Sequence, residues 1–283
     1  MLPTVNFLGK PVTRLIAGDN PVNGHTYIPE IIGKDDLLAY HTEERVLEAM
    51  QDSIRLGYNT WMPLGNDFML RAIYHHQLRE ENPLHFIFQS FAPIEFSVNL
   101  RMMAEANPLG IYHRGTDTDG FCEEGRYDIL KERIKMIKDY GIAAGLGTHV
   151  PETILRAEDE DWGCDFYVAC LHNSRKRGEA APSAFVTGKP KGITFFAEDR
   201  PLMFQAIQAV SKPCIAFKIY AGGQIFRGMT RERWPDAAET ALRETYQNIK
   251  GGDIACIGFF QRDSDQLGEN ARLAGKVLAE QGR

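Results

Sequence analysis

Short apolar runs alternate with longer amphipathic segments along the whole chain. The first run, 12–17, follows a possible hairpin through Asn6-Phe-Leu-Gly-Lys-Pro. A helix is predicted over 42–56, where Thr42 supplies an N-cap and Glu43 and Glu44 favour the positive end of the helix dipole. Gly57 closes it, and 58–62 reads as a second strand. The same rhythm gives helix 66–81 with strand 84–91, helix 96–106 with strand 109–113, and a long helix over 123–140 with strand 142–146. Ile129, Leu130, Ile134 and Ile137 recur at helical spacing in that long helix. Helix 151–161 opens on Pro151, a favourable first-turn residue, and leads to strand 165–171. Helix 200–210, strand 213–219, helix 231–249, strand 253–259 and helix 264–280 complete the series.

Alternation of this kind implies parallel strands joined by right-handed crossovers. Eight such units without a linker or a shift in composition predict a single (β/α)8 TIM barrel over residues 1–283, with an N-terminal hairpin. The polar stretch 173–197 after the sixth strand is rich in Gly, Pro and basic residues and exceeds an ordinary loop. It is expected to be an active-site lid.

Within the strands, position parity suggests orientation. Cys214, Ala216 and Lys218 share one face and Ile215, Phe217 and Ile219 the other, so the bulky set is expected to face the helices and the small set the barrel axis. Leu109, Ile111 and His113 share a face, as do Val168, Cys170 and His172. On this phase His113, His149, His172 and Lys218, each ending an apolar run, converge on the C-terminal mouth where barrel enzymes carry their chemistry.

Composition narrows the partners. The chain has 283 residues, is 43% hydrophobic and carries a net charge of −6 with a pI near 5.8. Arg175-Lys176-Arg177 is its one short basic cluster, so neither nucleic acid nor an anionic membrane is an expected partner. A small-molecule substrate is expected, and self-association stays open. No apolar window is long enough to span a bilayer, and the opening Met1-Leu-Pro-Thr-Val-Asn lacks the features of a signal peptide. Five scattered cysteines without a Cys-x-x-Cys pair suit reduced thiols. A cytoplasmic, soluble protein is the expectation.

The block Ile111-Tyr-His113-Arg, then a long helix, Gly141, and Gly145-Leu-Gly147-Thr148-His149 resembles the aldo-keto reductase superfamily. The opening Phe7-Leu-Gly-Lys-Pro-Val-Thr-Arg-Leu-Ile-Ala-Gly18 is similar to that family's hairpin and first strand. Leu56-Gly-Tyr-Asn-Thr60 is similar to its second strand, and Ile257-Gly258 with Gln266-Leu-Gly-Glu-Asn270 to its cofactor loop. The resemblance implies a barrel whose nicotinamide cofactor would be held by Arg262 and Asn270. It also implies an Asp–Tyr–Lys–His tetrad, and here the departures are informative. His113 matches the His. The Asp position falls on Trp61 or Met62, the Tyr position near Leu64, and the Lys position on Gln89 or Ser90. Leu cannot donate a proton and Gln or Ser cannot tune a phenol, so carbonyl reduction by that tetrad is not expected.

What remains at the strand ends suggests other chemistry. His113, His149 and His172 are the residue type most used to hold a divalent metal with open positions. Asp19, ending the first strand, and His25 in the following Gly18-Asp-Asn-Pro-Val-Asn-Gly-His25 loop would complete the shell or act as base. Lys218 would polarise a carbonyl or form a Schiff base. The expected catalytic set is His113, His149, Lys218 and Asp19, with Asn20, His25, Trp61, Gln89 and Asn173 as substrate contacts. His75 and His76 are expected to be solvated, and Asp117-Thr-Asp-Gly120 to form a solvated loop. The expected reaction is non-redox, a lyase, isomerase or hydrolase step on a hydroxylated carbonyl compound. The rivals are an NAD(P)-dependent reductase in which His113 donates the proton and a non-catalytic binding barrel.

Overall fold

The structure, a computed structural model, describes residues 2–174 and 194–282. Most of the stretch expected to be a lid lies outside the described residues. Its ends, Asn173 and Phe196, meet in an antiparallel bridge.

An antiparallel hairpin of β1 (Thr4–Phe7) and β2 (Lys10–Thr13) precedes the barrel. Eight parallel strands follow: β3 (Leu15–Gly18), β4 (Thr60–Met62), β5 (His85–Gln89), β6 (Gly110–His113), β7 (Ala143–Thr148), β8 (Phe166–Cys170), β9 (Cys214–Phe217) and β10 (Ile254–Gly258). They close in chain order, with β10 pairing back onto β3. The run expected as one strand over 12–17 is thus divided between hairpin and barrel. Phe7 and Val12 of the hairpin pack into the barrel's N-terminal end, where the Phe7 and Phe166 ring centroids lie 5.9 Å apart.

The helices are α1 (Lys34–Tyr40), α2 (Glu43–Arg55), α3 (Asp67–Arg79), α4 (Phe96–Glu105), α5 (Gly115–Glu123), α6 (Tyr127–Asp139), α7 (Pro151–Asp159), α8 (Arg200–Ala209), α9 (Trp234–Asn248) and α10 (Gln266–Glu280). Thr42 caps α2 as expected, and Asn66 caps α3 through its side chain. Two features differ from expectation. The loop after β3 contains the short helix α1. The long helix expected over 123–140 starts only at Tyr127, and a separate helix, α5, precedes it and stops before Gly125, whose φ of +71° is a left-handed value that ends a helix at little cost only for glycine. Asp117-Thr-Asp-Gly120 is accordingly helical, and Thr118 and Asp119 are buried.

Register fixes which side chains face the axis. Ile16, Met62, Ile87, Tyr112, Phe166, Val168, Ile215, Ile254 and Cys256 form the interior cluster. Leu15, Trp61, Phe86, Ile111, Leu146, Ala169, Cys214 and Ala216 pack outward against the helices. The expected phase of β9 is therefore inverted: Ile215 and Phe217 point inward, Cys214 and Ala216 outward. Bulk is tolerated inside because β7 contributes Gly145 and Gly147. A Cβ on Gly145 would stand 2.4 Å from the Phe166 ring, and one on Gly147 3.0 Å from the Tyr112 ring. The rings of Phe166 and Tyr112 occupy the axial space that β7 leaves empty.

Candidate active site

The C-terminal ends of β3, β4, β5, β6, β9 and β10 open into one cavity of about 200 Å³. From the strands it is lined by Gly18 and Asp19, Met62, Gln89, Tyr112, Phe217 and Lys218, and Cys256 and Gly258. Loop residues His25, Tyr27 and Ile28, together with Gly222, Gly223 and Phe226, close it from above. A mostly apolar wall with a few converging polar groups is the usual form of a small-molecule site.

Asp19 is 4% exposed, and the two hydrogen bonds its carboxylate takes from other residues reach one oxygen. The Leu64 amide donates to Oδ2 at 2.8 Å and the Asn23 side-chain amide at 2.7 Å. Burial outweighs these donors and raises the carboxyl from 3.8 to about 6. Asn23 is itself held by a 2.6 Å bond from the Asn66 side chain, so the α3 cap residue also braces the acid.

Lys218 follows the last residue of β9 and takes a φ of +56°, uncommon for a non-glycine residue. Strain of this kind clusters at functional sites. Its Nζ lies 4.4 Å from the Tyr27 ring centroid and 4.3 Å from that of Phe195, an aromatic setting suited to a cation. Loss of solvent around the His25 ring, and then the Lys218 charge, lower the His25 pKa and favour its neutral form. Deeper in the cavity the Tyr112 hydroxyl donates to Gln89 Oε1 at 2.8 Å.

The expected quartet of His113, His149, His172 and Lys218 does not assemble. His113 lies outward of β6, opposite in parity to Tyr112, and its ring sits between Phe96 and Phe121 in the helix layer. Its Nδ1 is 2.8 Å from Thr118 Oγ1, and Arg133 donates to its Nε2 at 2.9 Å. Burial and the Arg133 charge lower its pKa to about 3, so it is a neutral structural ring and not a cavity acid. His172 has Nδ1 2.8 Å from the Lys218 carbonyl oxygen, and burial with the nearby Arg200 charge lowers it to about 4. His149 Nδ1 lies 2.7 Å from Asp119 Oδ2. Burial opposes its protonation, but the Cys170 and Asp119 contacts prevail and raise it to about 9. Among the described residues no group of three or more His, Cys, Asp or Glu side chains is placed to hold a metal. The expected His113–His149–His172 centre is corrected on that geometry: each imidazole serves different partners.

Other expected residues divide. Asn20, His25 and Gln89 line the cavity, as does Asn270, whose Oδ1 accepts from the Tyr220 hydroxyl at 2.8 Å. Trp61 does not. It is fully buried on the outer face of β4, donates to Ser53 at 2.9 Å and meets Phe259 edge-on. Asn173 is buried beside the barrel and donates to Asp199 at 3.0 Å, away from the cavity wall. Arg262 is paired with both Asp36 and Asp263, which compete with any phosphate. His76, expected at the surface, is 1% exposed and accepts from the Leu84 amide at 3.1 Å, whereas His75 remains partly exposed beside Glu43.

Tyr112, Tyr27 and Asp119 were not predicted from sequence. Tyr112 adjoins the residue that was chosen, and the parity that favours it became visible only with the strand register.

Neither a protein-family model nor a curated protein matches the sequence. Solved structures do match the fold. The aldo-keto reductase AKR11C1 from Bacillus halodurans is 10% identical, with 99% of this chain and 96% of that chain covered at a TM-score of 0.61. Gox0644 in its apo form is 12% identical, with 97% and 89% covered at 0.60. A truncated 3-deoxy-D-arabino-heptulosonate 7-phosphate synthase from Thermotoga maritima is 11% identical, with 99% and 91% covered at 0.56. The shared fold is the TIM barrel. Identity this low carries the barrel architecture and not a family. No described helix is long and apolar enough to cross a membrane.

Proposed function

We propose that the chain is a small-molecule enzyme that catalyses a non-redox proton transfer, of isomerase or lyase type, on a hydroxylated carbonyl compound. The observation that carries this reading is that Asp19 and Lys218 line one cavity at the strands' C-terminal ends. The Leu64 and Asn23 donors both reach Oδ2, and Oδ1 is the oxygen that takes a proton from substrate carbon. A carboxyl brought to about 6 by burial is matched to proton exchange near neutral pH. The electron pair released from the C–H bond moves onto the carbonyl oxygen, where the Lys218 ammonium stabilises it. Return of the proton to the neighbouring carbon isomerises the substrate. Neutral His25 relays protons between its oxygens, and Gln89 with Tyr112 orients its hydroxyls.

The reductase alternative loses support on two counts. Its proposed donor, His113, lies behind the barrel wall, and Arg262 is engaged by two carboxylates. The neighbouring barrels named as a reductase and a synthase agree with small-molecule enzymology in general. The test is proton exchange. The protein in deuterated buffer is incubated with a panel of hydroxyaldehydes and hydroxyketones and α-deuteration is followed by NMR. Exchange that disappears in Asp19→Asn and Lys218→Met is expected. No exchange with any member of the panel, or carbonyl-dependent oxidation of NADPH, would overturn the reading.

A further inference from the structure

Beside the cavity, the two strands that contribute least to its wall carry a second reactive grouping. The β7–β8 ladder pairs Thr148 with Ala169, so the next step brings His149 opposite Cys170. Cys170 has the parity of Phe166 and Val168, and His149 that of Gly145 and Gly147, so both side chains belong to the barrel's inner face. On the other flank Cys170 pairs with Phe217, an inward residue that lines the cavity. The His149 and Phe217 rings meet edge-on with centroids 5.9 Å apart.

The imidazole is oriented from behind. Asp119 Oδ2 holds Nδ1 at 2.7 Å, while its two oxygens each take the His149 backbone amide at 3.3 Å. With Nδ1 so engaged, Nε2 is the nitrogen left for the side-chain hydrogen bond with Cys170. All three side chains are at least nine-tenths buried. The arrangement, a thiol against an imidazole that a buried carboxylate fixes in one tautomer, is the geometry that activates a cysteine.

We infer that Cys170, His149 and Asp119 form a nucleophilic triad in the barrel mouth whose sulfur adds to the carbonyl carbon of a small hydroxylated aldehyde or ketone. The choice of electrophile rests on the carbonyl reading of the adjoining cavity; the triad itself does not. The addition requires the proton shared by the pair to sit on Nε2, in competition with the contact the structure shows, in which the thiol donates to the His172 carbonyl oxygen at 2.9 Å. In the addition the C–S bond forms, the carbonyl π-bond breaks, and its electron pair passes to oxygen, which takes the Nε2 proton. The product is a neutral hemithioacetal and nothing is oxidised or reduced. Phe217, which pairs with Cys170 and lines the cavity, is the side chain that must turn aside for the carbonyl to reach the sulfur.

Thiolate absorbance in the far ultraviolet tests this on the intact protein without need of a turnover substrate. A thiolate band present at neutral pH in the wild type and absent in Cys170→Ser is expected. In His149→Gln it should emerge only in alkaline buffer, and in Asp119→Asn its midpoint should move upward. Peptide mapping after iodoacetamide should find Cys170 modified ahead of Cys122, a half-buried thiol that burial pushes up to about 11. Glycolaldehyde should bleach the band. A neutral-pH spectrum unchanged by Cys170→Ser, or the same titration in His149→Gln as in the wild type, would overturn the triad. A band that persists in saturating glycolaldehyde would overturn the carbonyl electrophile. Loss of deuterium exchange with the band intact would instead sink the Asp19–Lys218 reading alone.

Discussion

Replacing Asp19 by Asn should stabilise the protein while disabling it. Burial raises the folded-state carboxyl from 3.8 to about 6. At 1.36 kcal/mol per pH unit, that interval makes the ionised carboxylate about 3 kcal/mol costlier in the folded state than in the unfolded chain. The sign follows from proton counting. Between 3.8 and about 6 the unfolded chain has released the proton that the folded protein still holds, so stability declines as pH rises through this window and then levels off. Asn keeps an oxygen where Oδ2 accepts from Leu64 and Asn23, and its amide takes the place of Oδ1, so neither bond need be lost. The variant should therefore equal the wild type in acid, gain roughly half of the difference by pH 5, and be about 3 kcal/mol more stable at neutral pH. Urea unfolding across this range measures the difference directly. Deuterium exchange into substrate should fall by about 10²–10⁴-fold, the usual contribution of a positioned acid or base. An Asn variant whose stability runs parallel to the wild type at every pH would refute the buried-carboxylate argument, whatever its activity.

Other consequences are equally direct. His113→Asn should flatten acid destabilisation: the folded ring resists protonation down to about 3 while the unfolded one titrates near 6.5, so the wild type should lose about 2 kcal/mol to this group by pH 5, as read by urea unfolding against pH. Its exchange activity, where present, should not acquire the pH profile of a lost catalytic acid. Gly145→Ala should cost about 1–3 kcal/mol because the new methyl meets the Phe166 ring at 2.4 Å, and thermal unfolding will show it. Lys218→Met should keep the fold, measured by far-ultraviolet circular dichroism, and lose carbonyl binding in calorimetry. Trp61→Phe should lower stability through the lost Ser53 bond, by about 1 kcal/mol, and leave ligand affinity unchanged; a weakened affinity would return Trp61 to the cavity wall.

How much of this was legible in the sequence depends on the length scale of the signal. Strand–helix alternation is a property of whole segments, and it gave all eight barrel strands and the closing hairpin. A cap is nearly as local: Thr42 was expected to start α2, and its hydroxyl accepts from the Arg45 amide. The inward phase of a strand is different, because it depends on what the opposite strands leave room for. Small residues at Cys214 and Ala216 suggested a crowded axis, yet the glycines of β7 clear space in the interior, and Ile215 and Phe217 use it. One inverted phase displaces every side chain of that strand to the other face. That is why Lys218, just past the strand and held at a left-handed φ, still reached the cavity while His113, inside a regular strand, did not.

The same logic assigns His149 its place. Its choice as a catalytic residue assumed partners in His113 and His172, but register sets it beside Cys170, and Asp119 comes from a segment read as solvated loop. Asp119 carried no periodic or motif signal, because its role arises only when α5 folds back over the end of β7. A barrel mouth gathers residues from distant segments through parity and register, and neither is written in the spacing of any one motif. Sequence reading therefore finds the mouth before it finds the pairs within it. In this chain those pairs are Asp19 with Lys218 on one arc and Cys170 with His149 on the other, with Phe217 as the side chain common to both.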